Sequence, residues 1–273
     1  MSDTVTLTLR AALSESVDAE GLTADRVASL NAAELERLPV FVGRRETPLG
    51  EIFTVRGARS ARMSITGDVR RVAGLGAGMT GGELVIDGDA GSQVGAGMRG
   101  GRIEVLGSAG DDAGLAMAGG SLVIRGSAGD RVGAAAPGAS RGMTGGEIVV
   151  CGSVGVEAGA RMRRGLLCVG GDAADRAARA IIAGTAIVLG HTGSEPAIGS
   201  KRGTLVAIGG MDVPVTYSYA CTYEPPHVRL ALVHLRRRYG MRIADDIVGG
   251  RYRRFTGDAG TIGKGEILEW VRA

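Results

Sequence analysis

The chain has 273 residues and a formal net charge of +3; 44% of its residues are hydrophobic but only 3% are aromatic, and 48 are glycine. So few aromatic residues exclude a core of large rings, and they argue against the basic surface interleaved with aromatic side chains that binds nucleic acid. No apolar run approaches the ~20 residues of a membrane-spanning helix, and the glycines follow no collagen period, which favours a repeat protein.

Residues 1–47 are predicted to form a small α/β cap at one end of the molecule. The segment 4–10 alternates between apolar and polar residues as an edge strand does. Asn31 is followed three residues later by Glu34, the pattern of a capping box at the start of a short helix that ends before Pro39. The first residues show no charged segment followed by an apolar one, so the sequence favours a cytoplasmic location over secretion.

Residues 48–210 contain a glycine-rich repeat with a step of nineteen residues, apart from a seven-residue insertion at 133–139. The segments 50–55 and 63–68 resemble the repeat at shorter spacing and are predicted to be its first, irregular coils. Glycine stands at positions seven and thirteen of every regular unit, with a short aliphatic run between them. The seven regular units begin at Gly76, Gly95, Gly114, Ser140, Gly159, Ala178 and Ala197.

The aliphatic run of each unit predicts a strand. Positions nine and eleven, such as Leu84 and Ile86, lie on one face and stack on their equivalents in the neighbouring units. The glycines are expected to turn corners with a positive φ, and methionines at position four, such as Met79, to fill the gaps beside them. No part of a unit has a helical period, so the fold is predicted to be all-β: a right-handed parallel β-helix of about seven or more coils.

The first unit also matches G-x-G-x-x-G, through Gly76, Gly78 and Gly81, a spacing typical of loops that bind a dinucleotide phosphate. Such a loop must lead directly into a helix, because the N-terminus of that helix binds the phosphate. The residues that follow it here, 83–88, instead form a strand-like run that ends at a glycine. The motif also returns nineteen residues later, so it indicates architecture and not a cofactor site.

Several aspartates lie just after the corner glycines, and two interpretations of them stay open. Aspartate at such a turn usually accepts a hydrogen bond from its own backbone in an Asx-turn. A calcium site, of the kind that β-helix polysaccharide lyases use, is the alternative, although the nonapeptide calcium repeat has a different period. The residues concerned are Asp89, Asp111, Asp130, Asp172 and Asp175.

The later units carry cationic side chains around positions five and six, where the earlier units carry mostly small residues. If the units stack, these side chains line one corner within ~10 Å of one another. Like charges held so close indicate an anionic ligand or a facing acidic surface, and a solvated edge is the alternative. The six candidate binding residues are Arg161, Arg163, Arg164, Arg179, Lys201 and Arg202.

Residues 211–273 are predicted to close the other end of the repeat. Pro225 and Pro226 precede an amphipathic helix, which Gly240 ends. Its apolar side is expected to pack on the fold, and its other side carries cations, which indicates either a solvated face or a surface that docks a partner. These cations are Arg229, Arg236, Arg237 and Arg238.

The residues that most often carry chemistry do not form a catalytic set. His227 and His234 lie two helical turns apart, too far to share a metal ion without other ligands, and His191 follows a corner glycine. The three cysteines, an odd number with no C-x-x-C pair, are most simply reduced thiols. We therefore expect neither catalytic residues nor a metal site in this chain.

The glycine-rich segments GAGMTGGELVIDGDAG (76–91) and GAAAPGASRGMTGGEIVVCG (133–152) resemble the C subunit of formylmethanofuran dehydrogenase. They resemble still more its bacterial counterpart, the C subunit of the formyltransferase/hydrolase complex of methylotrophs. The repeat over 48–210 is also similar to the C-terminal β-helix of the large subunit of glutamate synthase. The segments CTYEPPHVRLALVHL (221–235) and GRYRRFTGDAG (250–260) favour the C-subunit families, and an arginine-rich, lysine-poor chain favours the bacterial complex.

This resemblance implies a non-catalytic scaffold subunit of a cytoplasmic complex. The complex would transfer a formyl group from formyl-tetrahydromethanopterin to a methanofuran-type carrier and hydrolyse it to formate. Its partners would be an amidohydrolase-like A subunit that holds the metal, a B subunit and a formyltransferase D subunit, with neither nucleic acid nor membrane. The glutamate-rich tail of the carrier is a candidate anion for the cationic corner. Arg164 and the methionine-free segment 177–190 depart from the family pattern, so the resemblance gives them no binding role.

Other functions stay open beside this one. The C subunit of a tungsten- or molybdenum-dependent formylmethanofuran dehydrogenase shares the same repeat. A β-helix enzyme that acts on an acidic carbohydrate would need a secretion signal and a groove lined by carboxylates. A domain of the glutamate synthase type would normally belong to a much longer chain.

Overall fold

The computed structural model describes residues 4–272; residues 1–3 of the predicted N-terminal cap and residue 273 lie outside that part of the chain. The fold is mostly β, with one large, mostly parallel sheet, a second sheet of four strands and few helices. The helices are α1 (Ala24–Val27), α2 (Ala32–Glu36), α3 (Leu49–Ile52), α4 (Pro226–Tyr239) and α5 (Asp245–Val248). The strands are β1 (Val5–Leu9), β2 (Val17–Asp18), β3 (Pro39–Val42), β4 (Arg45–Pro48), β5 (Phe53–Arg56), β6 (Arg62–Thr66), β7 (Val72–Ala73), β8 (Glu83–Asp87), β9 (Arg102–Val105), β10 (Ser121–Ile124), β11 (Glu147–Val150), β12 (Leu166–Val169), β13 (Thr185–Val188), β14 (Thr204–Ala207), β15 (Ser218–Tyr223), β16 (Tyr252–Gly257) and β17 (Gly265–Trp270).

The large sheet follows the repeat. Its strand order is β15-β16-β17-β14-β13-β12-β11-β10-β9-β8-β6-β1-β5, and the second sheet has the order β4-β3-β2-β7. Between β8 and β14 each strand pairs in parallel with that of the next unit, in a register that joins equivalent positions, for example Leu84 with Ile103. Each of the seven regular units thus contributes one strand, as the glycine spacing predicts, and Leu84 and Ile86 are fully buried on the inner face.

Two further ladders join the same units away from the large sheet. Position fifteen of successive units forms parallel bridges that run from Val69 through Ala90 to Thr192. Near position three, backbone N–H groups donate to the carbonyl of position two in the next unit, as from Gly78 to Ala96 at 2.7 Å. Neighbouring units are therefore hydrogen-bonded along three sides, and their inward aliphatic residues belong to one buried cluster.

The two glycines of a unit are required for different reasons. Gly82, at position seven, has a φ of 82° and turns a corner in the left-handed region, as expected. Gly107, at position thirteen, does not have a positive φ, and the expectation is wrong there. A Cβ on Gly107 would lie 2.6 Å from the carbonyl carbon of Gly88 in the preceding unit. Glycine at this position therefore permits the close approach of stacked backbones.

The N-terminal residues cap the first unit in a way that the sequence did not predict. Strand β1 is not an edge strand, because it lies between β6, to which it is parallel, and β5, to which it is antiparallel. The edge belongs to β5, so the segment 50–55 is not a coil of the repeat, whereas 63–68 does begin the stack through β6. The helix after Asn31 is confirmed, together with its capping box. The backbone N–H of Glu34 donates to Asn31 Oδ1 at 3.0 Å, and Glu34 Oε2 accepts from the backbone N–H of Asn31 at 2.8 Å.

The C-terminal residues cover the last unit and the outer face of the large sheet. Strand β17 extends the parallel sheet beyond β14, and β16 and β15 add antiparallel strands. Helix α4 ends at Gly240, whose φ is 70°, and packs its apolar side, including Leu232 and Leu235, on the outward position ten of units three to seven. Those outward residues are Val123, Val149, Cys168, Ile187 and Val206. Their apolar character is the signal in the sequence for this second layer.

The carboxylate of Glu147 fastens α4 to the fourth unit. Its Oε1 lies 2.8 Å from His234 Nε2, and its Oε2 accepts a hydrogen bond from the Tyr239 hydroxyl. Arg238 Nε lies 3.9 Å from the same Oε2. Because three groups from the helix converge on one carboxylate, Glu147 fixes the helix in register with the sheet.

Replacement of Glu147 with leucine is expected to lower the free energy of unfolding by about 2 kcal/mol, because it leaves the partly buried donors of α4 without their acceptor. Urea denaturation would measure the change, and limited proteolysis would show earlier cleavage near α4. Glu83→Leu is the matched control, since Glu83 stands at the same position of the first unit. Among residues 4–272 its carboxylate has a single ion pair, at 3.9 Å from exposed Arg62. Equal losses in the two variants would contradict the role given to Glu147.

The corner aspartates bond to the next unit and not to their own turn. Asp89 Oδ1 accepts from the backbone N–H of Ser108 at 2.7 Å, and Asp175 Oδ1 from that of Ser194 at 2.8 Å. The expectation of Asx-turns is therefore wrong at these positions, because stacking brings an N–H of the following unit within reach. The hydrogen bond from the Ser194 backbone also holds the pKa of Asp175 below its ordinary value.

Candidate functional site

A cleft of about 610 Å³ opens at one corner of units four to seven. Its walls carry five cationic side chains beside three aliphatic ones, and we refer to it as the cationic cleft. The residues that line it are Ser140, Arg141, Arg163, Arg164, Ile182, Ala183, Lys201, Arg202 and Ile262.

Stacking of the units places the cations in tiers. The backbone N–H of Arg163 donates to Met143 at 2.7 Å, that of Ile182 to Met162 at 2.8 Å, and that of Lys201 to Ile181 at 2.8 Å. Position five of units five, six and seven therefore lies in one column, Arg163–Ile182–Lys201. With one unit between them, the backbones of Arg163 and Lys201 are ~10 Å apart.

Position six forms a second column beside the first. It carries Arg164 in unit five, Ala183 in unit six and Arg202 in unit seven, and all three line the cleft. Each column thus holds a cation, a small or aliphatic residue and a second cation. Four of the six predicted residues are brought together here, around a floor formed by Ile182 and Ala183.

The cations of the cleft are not neutralised from within the described part of the chain. Many arginines elsewhere have an acidic partner, such as Arg131, whose Nη2 lies 2.7 Å from Asp112 Oδ2. In residues 4–272, by contrast, no carboxylate oxygen lies within 4.0 Å of the side-chain nitrogens that line the cleft. A cleft with this charge attracts an anion by ordinary Coulomb forces.

Two of the predicted residues lie outside the cleft. Arg161 Nη1 donates to the carbonyl of Ala139 at 3.1 Å, so this arginine holds the end of the insertion. Arg179 Nη1 lies 3.4 Å from Glu157 Oε1 and is already paired. Arginines at neighbouring positions of the repeat therefore point to different corners.

Two lining residues were missed by the sequence reasoning. Arg141 is the second residue after the insertion at 133–139 and stands at position two of unit four. Nothing in that position indicated that its side chain would line a cleft with position five of unit five. Ile262 belongs to the turn between β16 and β17, which the nineteen-residue period does not describe. Only the tertiary fold brings these residues to the cleft.

The histidines and cysteines lie apart from the cleft. His227 Nε2 lies 3.8 Å from Glu266 Oε1, His234 contacts Glu147, and His191 is exposed with its backbone N–H donated to Asp172. Burial raises the pKa of the Cys168 thiol to about 12, which makes it unreactive at neutral pH. Within residues 4–272 no three His, Cys, Asp or Glu side chains are grouped closely enough to bind a metal ion.

Helices in the described residues are short, and none combines the length and the hydropathy that crossing a bilayer requires. These features together define a class of protein: a glycine-rich repeat of stacked parallel strands that presents an unneutralised cationic cleft at one corner.

Comparison with known proteins gives this class a family. No family model matches the chain. Curated relatives include the C subunit of molybdenum-containing formylmethanofuran dehydrogenase 1 from Methanothermobacter thermautotrophicus, 38% identical over 80 residues, which are 29% of this chain and 20% of the relative. The C subunit of the formyltransferase/hydrolase complex Fhc from Methylorubrum extorquens is 36% identical over 89 residues, 33% of this chain and 34% of the relative. The chain thus matches only a fifth to a third of the length of these relatives.

A solved structure extends the similarity to almost the whole chain. A chain in the crystal structure of the formyltransferase/hydrolase complex (FhcABCD) from Methylorubrum extorquens, in complex with methylofuran, matches with a TM-score of 0.90 and 36% identity. The match covers 98% of this chain and 100% of the other. The chain therefore belongs to the C-subunit family that the formyltransferase/hydrolase complex and formylmethanofuran dehydrogenase share.

Proposed function

We propose that this chain is a scaffold subunit, without catalytic residues of its own, of a cytoplasmic formyltransferase/hydrolase complex. The observation that carries the proposal is that nearly the whole chain matches one chain of the crystallised FhcABCD complex. The complex would pass a formyl group from formyl-tetrahydromethanopterin to a methanofuran-type carrier and release it as formate. The metal and the formyltransferase chemistry would belong to the A and D subunits, with the B subunit as the third partner.

The scaffold itself would be a right-handed parallel β-helix within residues 48–210, whose stacked coils begin at β6. The three hydrogen-bonded ladders between successive units support this architecture, because they leave each unit as one turn around a common core. Residues 1–47 and 211–273 would be its two caps. Such a rod offers long, rigid sides on which other subunits can be held at fixed separations.

Within this scaffold, the cationic cleft would hold an anionic chain: the glutamate-rich tail of the carrier. The cations form two tiers, Arg163 and Arg164 in unit five and Lys201 and Arg202 in unit seven. These tiers support the role, because successive carboxylates of an extended tail can each contact one of them. The crystallised relative is in complex with methylofuran, a carrier of the expected kind. An acidic surface of a partner subunit is the other anion that would fit the same charges.

Affinity purification of the tagged chain from its own cells tests the proposal. We expect the A, B and D subunits to co-purify, and formate release to appear with the assembled complex and to be absent from the isolated chain. Turnover by the isolated chain, or its purification without partners, would contradict a scaffold role.

A second candidate is the C subunit of a molybdenum- or tungsten-dependent formylmethanofuran dehydrogenase. The similarity to the curated dehydrogenase subunits favours it, including 36% identity over 95 residues to the Methanosarcina barkeri protein. Elemental analysis of the purified complex separates the two candidates. Molybdenum or tungsten in stoichiometric amounts would indicate the dehydrogenase.

A further inference from the structure

The turn at 258–264, between β16 and β17, forms part of the wall of the cationic cleft. It contributes Ile262, a large aliphatic side chain that is 52% exposed. Exposure of so much apolar surface beside Lys201 and Arg202 gives the fold no stability. A contact with something outside the chain would explain its position.

The turn is held rigidly by Asp258, which is 3% exposed. Its Oδ2 accepts from the backbone N–H of Gly199 and its Oδ1 from that of Gly260, both at 2.8 Å. Burial raises the pKa of this carboxyl, but these hydrogen bonds outweigh burial and lower it below the ordinary value, so Asp258 is ionised at neutral pH. The Thr261 hydroxyl donates to the carbonyl of Ser200 at 2.6 Å. Asp258 and Thr261 therefore tie the turn to unit seven, which carries two of the cations.

The cleft alternates between charged and apolar surface. Ile182 and Ala183 separate the two tiers of cations, and Ile262 stands at the rim. A compact polyanion such as a polyphosphate could use the cations but would have no group to place against the aliphatic side chains. A chain of carboxylates joined by methylene groups could use both kinds of surface at once.

We infer that Ile262, held in place by Asp258, makes the cleft prefer carboxylates carried on an aliphatic chain over compact polyanions. This inference rests on the proposed function, because it presumes that the cleft binds an anion. It adds to that function two residues, Ile262 as a contact for the ligand and Asp258 as a positioning residue, and a direction of selectivity.

Two probes test the inference on the full chain by titration calorimetry: a synthetic hexaglutamate and inorganic tripolyphosphate. We expect Ile262→Ser to weaken binding of hexaglutamate roughly three- to tenfold, as the loss of one partly buried aliphatic contact implies, and to leave binding of tripolyphosphate unchanged. Leu230→Ser is the matched control, since Leu230 is a 72% exposed aliphatic residue on α4 and does not line the cleft. It should change neither affinity.

Asp258→Asn tests the positioning role. Asparagine has the same size, but its amide nitrogen cannot accept a hydrogen bond, so one of the two backbone N–H groups loses its acceptor. The turn should therefore loosen. The affinity for hexaglutamate relative to that for tripolyphosphate should then fall, as it does in Ile262→Ser. A general structural defect would weaken both probes equally. Equal effects on both probes in both variants, or no effect on either probe, would overturn the inference. Failure of the unaltered chain to bind either probe would overturn the cationic cleft itself and, with it, this inference.

Discussion

Neutralising the cationic cleft is expected to weaken binding of hexaglutamate by roughly a hundredfold at low salt. The variant replaces Arg163, Arg164, Lys201 and Arg202 together with glutamine. Each partly exposed charge pair contributes ~0.7 kcal/mol, so four of them contribute about 3 kcal/mol, or two powers of ten in the dissociation constant. Titration calorimetry at several salt concentrations measures the loss, and the salt dependence should flatten because fewer charges take part.

The control for this variant removes four charges elsewhere. The cations chosen are exposed, lie outside the cleft and have no carboxylate within 4.0 Å in the described residues, so the net charge changes equally. They are replaced in the variant Arg99→Gln, Arg229→Gln, Arg237→Gln and Arg242→Gln. If the affinity for hexaglutamate falls by the same factor in both variants, the binding is a diffuse effect of net charge. If the cleft variant also assembles normally and retains its carrier as well as the unaltered chain, the proposed site is wrong.

Gly107→Ala is expected to destabilise the fold by about 3 kcal/mol, because it introduces a methyl group between stacked backbones. The new Cβ would lie 2.6 Å from the carbonyl carbon of Gly88 and 2.7 Å from the backbone nitrogen of Asp89. Neither atom can move without shifting the neighbouring unit. Thermal unfolding followed by circular dichroism should show a fall in Tm on the order of 10 °C for a chain of this size.

Gly81→Ala is the control for this substitution. Gly81 belongs to the first unit, has no positive φ, and has no atom within 4 Å of the place where a Cβ would stand. Its replacement is expected to change the free energy of unfolding by at most ~0.5 kcal/mol. Similar changes in Tm for the two variants would contradict the claim that position thirteen is restricted by the preceding unit.

The stacked units could be predicted from the sequence because their physical cause is local and repeated. Each unit has a strand with a period of two residues between two glycines, and this pattern returns every nineteen residues. The pattern alone therefore determines the register of β8 to β14, whatever the other segments of the chain do. The caps could not be predicted in the same way. Strand β1 is inserted between β6 and β5, and β17 follows β14 in the sheet across more than fifty residues of sequence, so both pairings depend on the whole fold.

The same distinction holds for the candidate site. Arg163, Arg164, Lys201 and Arg202 come together because the repeat stacks positions five and six, which the spacing predicted. The same spacing also grouped Arg161 and Arg179 with them, and these two lie outside the cleft. Other members depend on contacts between distant segments. Ile262 reaches the cleft on a turn that Asp258 and Thr261 bind to unit seven, and no period in the sequence predicts those contacts.

A structure of the affinity-purified complex with its carrier bound tests the central claim most directly. We predict that this chain forms a rod in contact with the catalytic subunits, with carboxylates of the carrier's tail within hydrogen-bond distance of Arg163 or Arg164 and of Lys201 or Arg202. The same map should show Ile262 against the aliphatic part of the tail. A cleft that is open to solvent while the tail lies elsewhere, or a reaction centre built from residues of this chain, would contradict the account.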